Sequence, residues 1–216
     1  IYLFDYIINV SGYILEGSLI TFQLYLVTAL FSVLLGIAGA LGKISKIPLL
    51  ESILSFYTWV FRGTPLLLQL FFAYYGLPVL GITLEPFPAA ALTFIVNYGA
   101  YFTEIFRGGI ESIDVGQYEA AKVLGMNYRQ TMGRIVIPQT VKRVLPATSN
   151  EAINLVKDSA LVAVIGLGDL LRAAKVAVTR DFSIIPFIIA AVFYLIISSV
   201  IVTVFRKLEE KYSVYE

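Results

Sequence analysis

The sequence has no cysteine and no histidine. Disulfides and thiolate chemistry are therefore excluded, and so are the commonest metal ligand and the usual proton carrier of neutral pH. Charge is also scarce: 14% of the 216 residues are Asp, Glu, Lys or Arg, while 58% are hydrophobic. A soluble domain carries about a quarter charged residues, so this composition belongs to an integral membrane protein. The net charge of +1 and the lack of a basic run give no footing for nucleic acid. A nucleotide-binding P-loop is missing as well. The nearest approach, Gly42-Lys43, is followed by Ile44 and has Ile37 where the first glycine should stand.

What is abundant is uncharged sequence in long runs. Residues 17–42, 63–84, 86–103 and 182–205 carry no Asp, Glu, Lys or Arg apart from Glu85 between the second and third, and the second run can begin near Ser52 with Arg62 inside it. Each is compatible with a transmembrane helix of about 20 residues. A weaker fifth candidate covers about 143–171, where Glu151, Lys157 and Asp158 interrupt an apolar pattern. The expected architecture is all-α, a single transmembrane unit over 1–216 with five membrane-spanning helices. Lys43 and Lys46 follow the first run, and Arg107, Lys122, Arg129, Arg134, Lys142 and Arg143 lie between the third and fourth. Arg206, Lys207 and Lys211 follow the last. The positive-inside rule then puts the N-terminus outside and the C-terminus in the cytoplasm, with Arg172, Lys175 and Arg180 as exceptions on the outer side.

On this topology the loop at about 116–138, between spans three and four, is cytoplasmic. Its segment "EAAKVLG", Glu119 to Gly125, has the pattern of a short surface helix in which Ala120, Ala121 and Leu124 share a face and Gly125 provides the stop. Asn127 suits the cap of a second short helix, and Pro138 the start of the next span. Read alone, this segment is also what an amphipathic helix resting on lipid headgroups would look like.

Polar side chains within the spans are functional candidates, because an ionised group at the bilayer centre costs about 2.5–3.5 kcal/mol on insertion scales. Asn97, Tyr101 and Glu104 fall on one face of the third span; Glu151, Asn154 and Asp158 fall on one face of the fourth. Thr64, Gln69 and Phe72 on the second span can complete a polar pocket, and Pro65 frees a backbone carbonyl that can serve as a ligand group. Local alternatives exist for several of them. Glu104 can pair with Arg107, Asp158 can pair with Lys157 or cap a helix restarting at Ser159, and Asn97 and Asn154 can simply join helices.

The longer pattern carries more information. Glu119-Ala120-Ala121, three residues, Gly125, nine residues, then Ile135-Val136-Ile137-Pro138 resembles the EAA loop of ATP-binding-cassette importer permeases, with Ile137 in place of the family's leucine. "FRGTPLLLQLFF", "AYFTEIFRGGIESI" and "NLVKDSALVAVIGLGDLL" look like permeases of the polar amino acid importers. The resemblance implies a multi-pass protein of the cell (inner) membrane whose Glu119, Ala120, Ala121 and Gly125 couple it to separate ATPase subunits. Those subunits bind ATP and magnesium, so this chain carries no cofactor and is no enzyme. It further implies a second permease copy, identical or related, and an extracytoplasmic solute-binding protein. The carboxylates Glu104, Glu151 and Asp158 outnumber Lys157, which favours a cationic amino acid of the arginine or lysine class. The rival reading is an ion-coupled transporter or channel, in which the same carboxylates would carry protons or sodium.

Overall fold

The computed structural model describes residues 2–212, and these residues contain helices and turns with no strand. The first helix, α1 (Tyr2–Ile44), takes in the uncharged run at 17–42 and extends well beyond its start. At 43 residues and 1.5 Å per residue it is about 65 Å long, twice the ~30 Å hydrocarbon thickness. Asp5 in its first turn and Lys43 in its last complement the helix dipole.

The second uncharged run is not one straight helix. Helix α2 (Pro48–Gly63) takes in the early start near Ser52 with Arg62, and α3 (Leu66–Phe71) continues through a π turn and a 3-10 turn to Leu80 after a bend of 103°. The cause is Pro65, which has no N–H to give and whose ring clashes with the carbonyl four residues back. Thr64, before it, is forced into extended backbone at φ −119, ψ 147.

Helix α4 (Pro86–Glu111) begins where the third uncharged run begins. It is the most enclosed helix, with Ala90, Phe94, Tyr98, Ala100 and Phe102 buried, and it lies along α1. Close approach is possible because Gly36 and Gly39 of α1 stand opposite Phe102 and Thr103, where any side chain would overlap them. A second cluster joins Val10 and Ile14 of α1 to α8 (Leu170–Asp181) and α9 (Ile185–Tyr212).

Between α4 and α8 lie α5 (Val115–Val123), α6 (Tyr128–Thr131) and, after a π turn, α7 (Ile137–Asp158). The expected fourth span at 143–171 is thereby corrected: the α-helix stops at Asp158, a 3-10 turn covers Ser159–Ile165, and Gly166 at φ 84 closes it. Asp169 then caps α8, accepting from the amides of Leu171 and Arg172, so α8 is a helix that its three basic residues disguised as a loop. By length and apolarity, α1 and α9 qualify as membrane spans alone, and α2 with α3 qualifies as a bent pair. Helices α4 and α7 are less apolar because α1 and α9 pack against them, so that less of their surface needs to be oily.

Gly39→Val is expected to drive α1 and α4 apart at the Thr103 contact and to lower stability by roughly 1–3 kcal/mol, the usual range for overpacking. Thermal unfolding of the detergent-extracted protein checks this; a melting temperature equal to wild type would show that the two helices do not depend on their close approach.

Candidate functional site

The break at Gly63–Pro65 generates the site. Pro65 leaves the Phe61 carbonyl, four residues back, without its helical partner. That carbonyl accepts from the Asn97 amide at 2.8 Å and from Gln69 at 3.0 Å, and Asn97 also donates to Gln69 at 3.0 Å. Gln69 reaches the Thr64 hydroxyl at 2.8 Å, and Thr64 donates to Val60 at 2.8 Å. A half-buried carbonyl thus gains two donors, from α3 and α4. The expectation that Pro65 would offer a free carbonyl to a ligand is corrected, because the protein occupies that oxygen itself.

Beside this brace is a cavity of about 630 Å³ between the break, α4 and α7. Its lining includes six of the expected residues: Thr64, Asn97, Tyr101, Glu151, Asn154 and Asp158. The two stripes read from helical spacing meet at this cavity except for Glu104. Gln69 and Phe72 lie in the wall of an adjoining apolar cavity of about 510 Å³, which shares Thr64. Asp158 accepts from the Tyr98 hydroxyl at 2.7 Å, and its side chain does not cap the turn that follows.

Glu104 is placed elsewhere. It lines neither cavity, and its two oxygens are held by Lys43 of α1 at 2.6 Å and by Arg107 at 2.6 Å. Arg107 continues to Glu111 at 2.5 Å, and Lys43 also approaches the Thr58 hydroxyl at 3.4 Å. The local alternative for Glu104 is what the geometry shows, with a partner from α1 that local sequence did not reveal.

Two cavity residues escaped the sequence reading. Arg62, the last charged residue of α2, lies with its guanidinium 5.5 Å from the centre of the Tyr101 ring. Tyr98 donates its hydroxyl to Asp158. An arginine at the edge of an apolar run was the available signal for the first; nothing local marked the second.

The loop segment is built as a separate surface. Helix α5 is capped by Asp114, which accepts from Gly116, and ends in a Schellman turn: Met126 donates to Ala121 and Gly125 to Lys122, each at 3.0 Å, with Gly125 at φ 71. Asn127 and Gln130 form a reciprocal capping box at the start of α6. The alanine pair divides its work, which corrects the shared face expected for Ala120, Ala121 and Leu124. Ala121 is fully buried, while Glu119, Ala120 and Leu124 point away from the body, with Val123 88% and Leu124 76% exposed. Gln139 of α7 donates to Gln117 at 3.2 Å, and Arg143 donates to the Ser112 carbonyl, so α5 is tied to the helix that carries Glu151 and Asp158.

The family described as the binding-protein-dependent transport system inner membrane component matches residues 32–214. The chain belongs to this family. Among relatives of this inner membrane component, the arginine transport system permease protein ArtQ of Bacillus subtilis is 43% identical over 92% of both chains. A putative glutamine transport system permease protein GlnP of Rickettsia bellii is 38% identical over 97% of this chain and 98% of its own. A chain in the crystal structure of an amino acid ABC transporter with histidines superposes with TM-score 0.87 at 36% identity, covering 94% and 96%. A chain of the inward-facing MetNI methionine ABC transporter, at 17% identity and TM-score 0.77 over 93% and 96%, shares the fold. The protein is an all-helical, multi-pass membrane permease subunit and not an enzyme; ATP hydrolysis belongs to a separate subunit of the transporter, and the family implies a permease partner.

Glu104→Gln is expected to lower stability by about 2–3 kcal/mol, since it leaves Lys43 and Arg107 sharing a neutral acceptor in a mostly buried position. The amount of folded protein should drop while the ratio of substrates carried per folded complex stays constant. A changed ratio in uptake normalised to folded protein would return Glu104 to the site.

Proposed function

We propose that this permease subunit of an amino acid importer carries cationic amino acids, of the arginine or lysine class, through the cavity beside the α2–α3 break. The observation that carries the reading is the grouping of Glu151 and Asp158 with Asn97, Tyr101 and Asn154 around one polar cavity. Carboxylates favour a cationic guest, because a charge-assisted hydrogen bond is roughly twice as strong as a neutral one. The relative named for arginine transport is consistent with this, although others are named for glutamine. Glu104 no longer contributes to the argument. Family membership does not favour the ion-coupled alternative.

The topology proposed is five spans with the N-terminus outside and the C-terminus in the cytoplasm, α2 with α3 counting as the second and α7 with its 3-10 extension as the fourth. Helix α5 then faces the cytoplasm and docks on a separate ATPase, which binds ATP and magnesium. Its exposed Val123 and Leu124 supply the apolar contact and Glu119 the orientation. Ala121 and Gln117 transmit the movement into α7, and two permease chains rock between inward-open and outward-open states. A solute-binding protein delivers the amino acid from outside.

Substrate-stimulated ATP hydrolysis by the reconstituted complex, compared for arginine, lysine and glutamine, tests the class; stimulation by glutamine alone would sink the cationic reading. Gly125→Val places a β-branched residue at φ 71, which is expected to unwind the Schellman turn. Transport and stimulated hydrolysis should both fall at least tenfold while membrane insertion persists. Full coupling in this variant would remove α5 from the ATPase interface. Asn127→Cys should resist an impermeant thiol reagent applied outside intact cells, and labelling there would overturn the orientation.

A further inference from the structure

We infer that Arg62 is the group that reads the α-carboxylate of the transported solute, so that the permease itself selects α-amino acids over the corresponding amines. This rests on the proposal that the cavity beside the break is the transport site.

Arg62 ends α2 at the point where Pro65 breaks the chain, and it lines the same cavity as Glu151 and Asp158. Its guanidinium lies over Tyr101, whose hydroxyl reaches back to the Arg62 carbonyl at 3.5 Å. Among the described residues Arg62 forms no ion pair, although two carboxylates share its cavity. Asp158 is instead held by Tyr98. Arg62 is exposed while Glu151 and Asp158 are half-buried, and an exposed guanidinium gains little by closing on a carboxylate. The three share a space of about 630 Å³, within the range of small-molecule sites.

A guest that completes the arrangement has a planar anion at one end and cationic groups at the other. The fork of a guanidinium matches a carboxylate through two parallel hydrogen bonds, and arginine keeps its charge at any physiological pH. Taken in their charged forms, Arg62, Glu151 and Asp158 provide one positive and two negative groups. A cationic amino acid provides the complement: one carboxylate, one α-ammonium and one charged side chain. A neutral amino acid leaves one carboxylate without a partner, and an amine lacking the carboxylate leaves Arg62 without one. The Tyr101 ring, 5.5 Å from the guanidinium carbon, is within cation–π reach of it.

The test uses the permease–ATPase complex in lipid nanodiscs without any solute-binding protein, so that selection by that protein does not enter. Binding of radiolabelled arginine and of radiolabelled glutamine is measured, with competition by their decarboxylated counterparts, agmatine and 4-aminobutanamide. Wild type should prefer each amino acid to its counterpart by tenfold or more. Arg62→Gln should weaken amino acid binding while leaving the amine unchanged, bringing the ratio close to one; Arg62→Lys should retain part of the preference. Melting temperatures of the variants confirm that folded complexes are compared. Equal competition by agmatine and arginine in wild type would overturn the inference, as would a loss of both in the same proportion on Arg62→Gln. If neither amino acid binds a complex that still hydrolyses ATP, the transport-site reading falls, and the inference with it.

Discussion

The arrangement depends on one displaced hydrogen bond. Pro65 removes the donor that the Phe61 carbonyl would find in an uninterrupted helix, and an unsatisfied carbonyl at membrane depth costs several kcal/mol. Asn97 and Gln69 supply the replacement, one from α4 and one from α3. The same exchange that satisfies the backbone fixes the angle of the bend, holds α3 against α4 and leaves Arg62 and Thr64 at the edge of a cavity. A polar site in a membrane protein can thus arise as the surroundings of a break, with no need for side chains directed inward from straight helices.

The second organising element is the pairing of α1 with α4 through Gly36 and Gly39. Close backbone approach brings Lys43 within reach of Glu104 and closes the alternating chain of Lys43, Glu104, Arg107 and Glu111. Helix α4, backed by α1, supplies Asn97, Tyr98 and Tyr101 to one side of the cavity. On the other side, α7 carries Glu151 and Asp158 and is tied to α5 through Gln139 and Gln117. The helix that carries the cavity carboxylates is therefore linked by a hydrogen bond to the loop helix with the outward-facing surface.

How far the sequence disclosed this depended on whether the cause was local. The runs at 17–42 and 86–103 lie within helices, as does the run at 182–205 from Ile185 onward, because the absence of charge is a direct imprint of the lipid. The stop at Gly125 and the cap at Asn127 were also legible, since each is decided within a few residues. Of the polar stripes at 97–104 and 151–158, Asn97, Tyr101, Glu151, Asn154 and Asp158 line one cavity, and Glu104 does not. What was hidden is long-range. The Lys43 partner of Glu104 comes from sixty-one positions away, and no local pattern announces it. Helix α8 was concealed because Arg172, Lys175 and Arg180 read as loop residues, while Ala173, Ala174 and Ala177 bury too little apolar surface to give a strong period. The inward turn of Ala121, against an outward Ala120, depends on what α5 lies against.

The four-charge chain at the Lys43 end of α1 has an electrical consequence. Its two positive and two negative groups sum to zero and are held within one packed set of helices. Displacing one elementary charge across a membrane potential involves about 2.3 kcal/mol per 100 mV. Moving a neutral set as one body displaces no net charge. The cavity beside the break is not balanced in the same way, since Arg62 stands there against both Glu151 and Asp158.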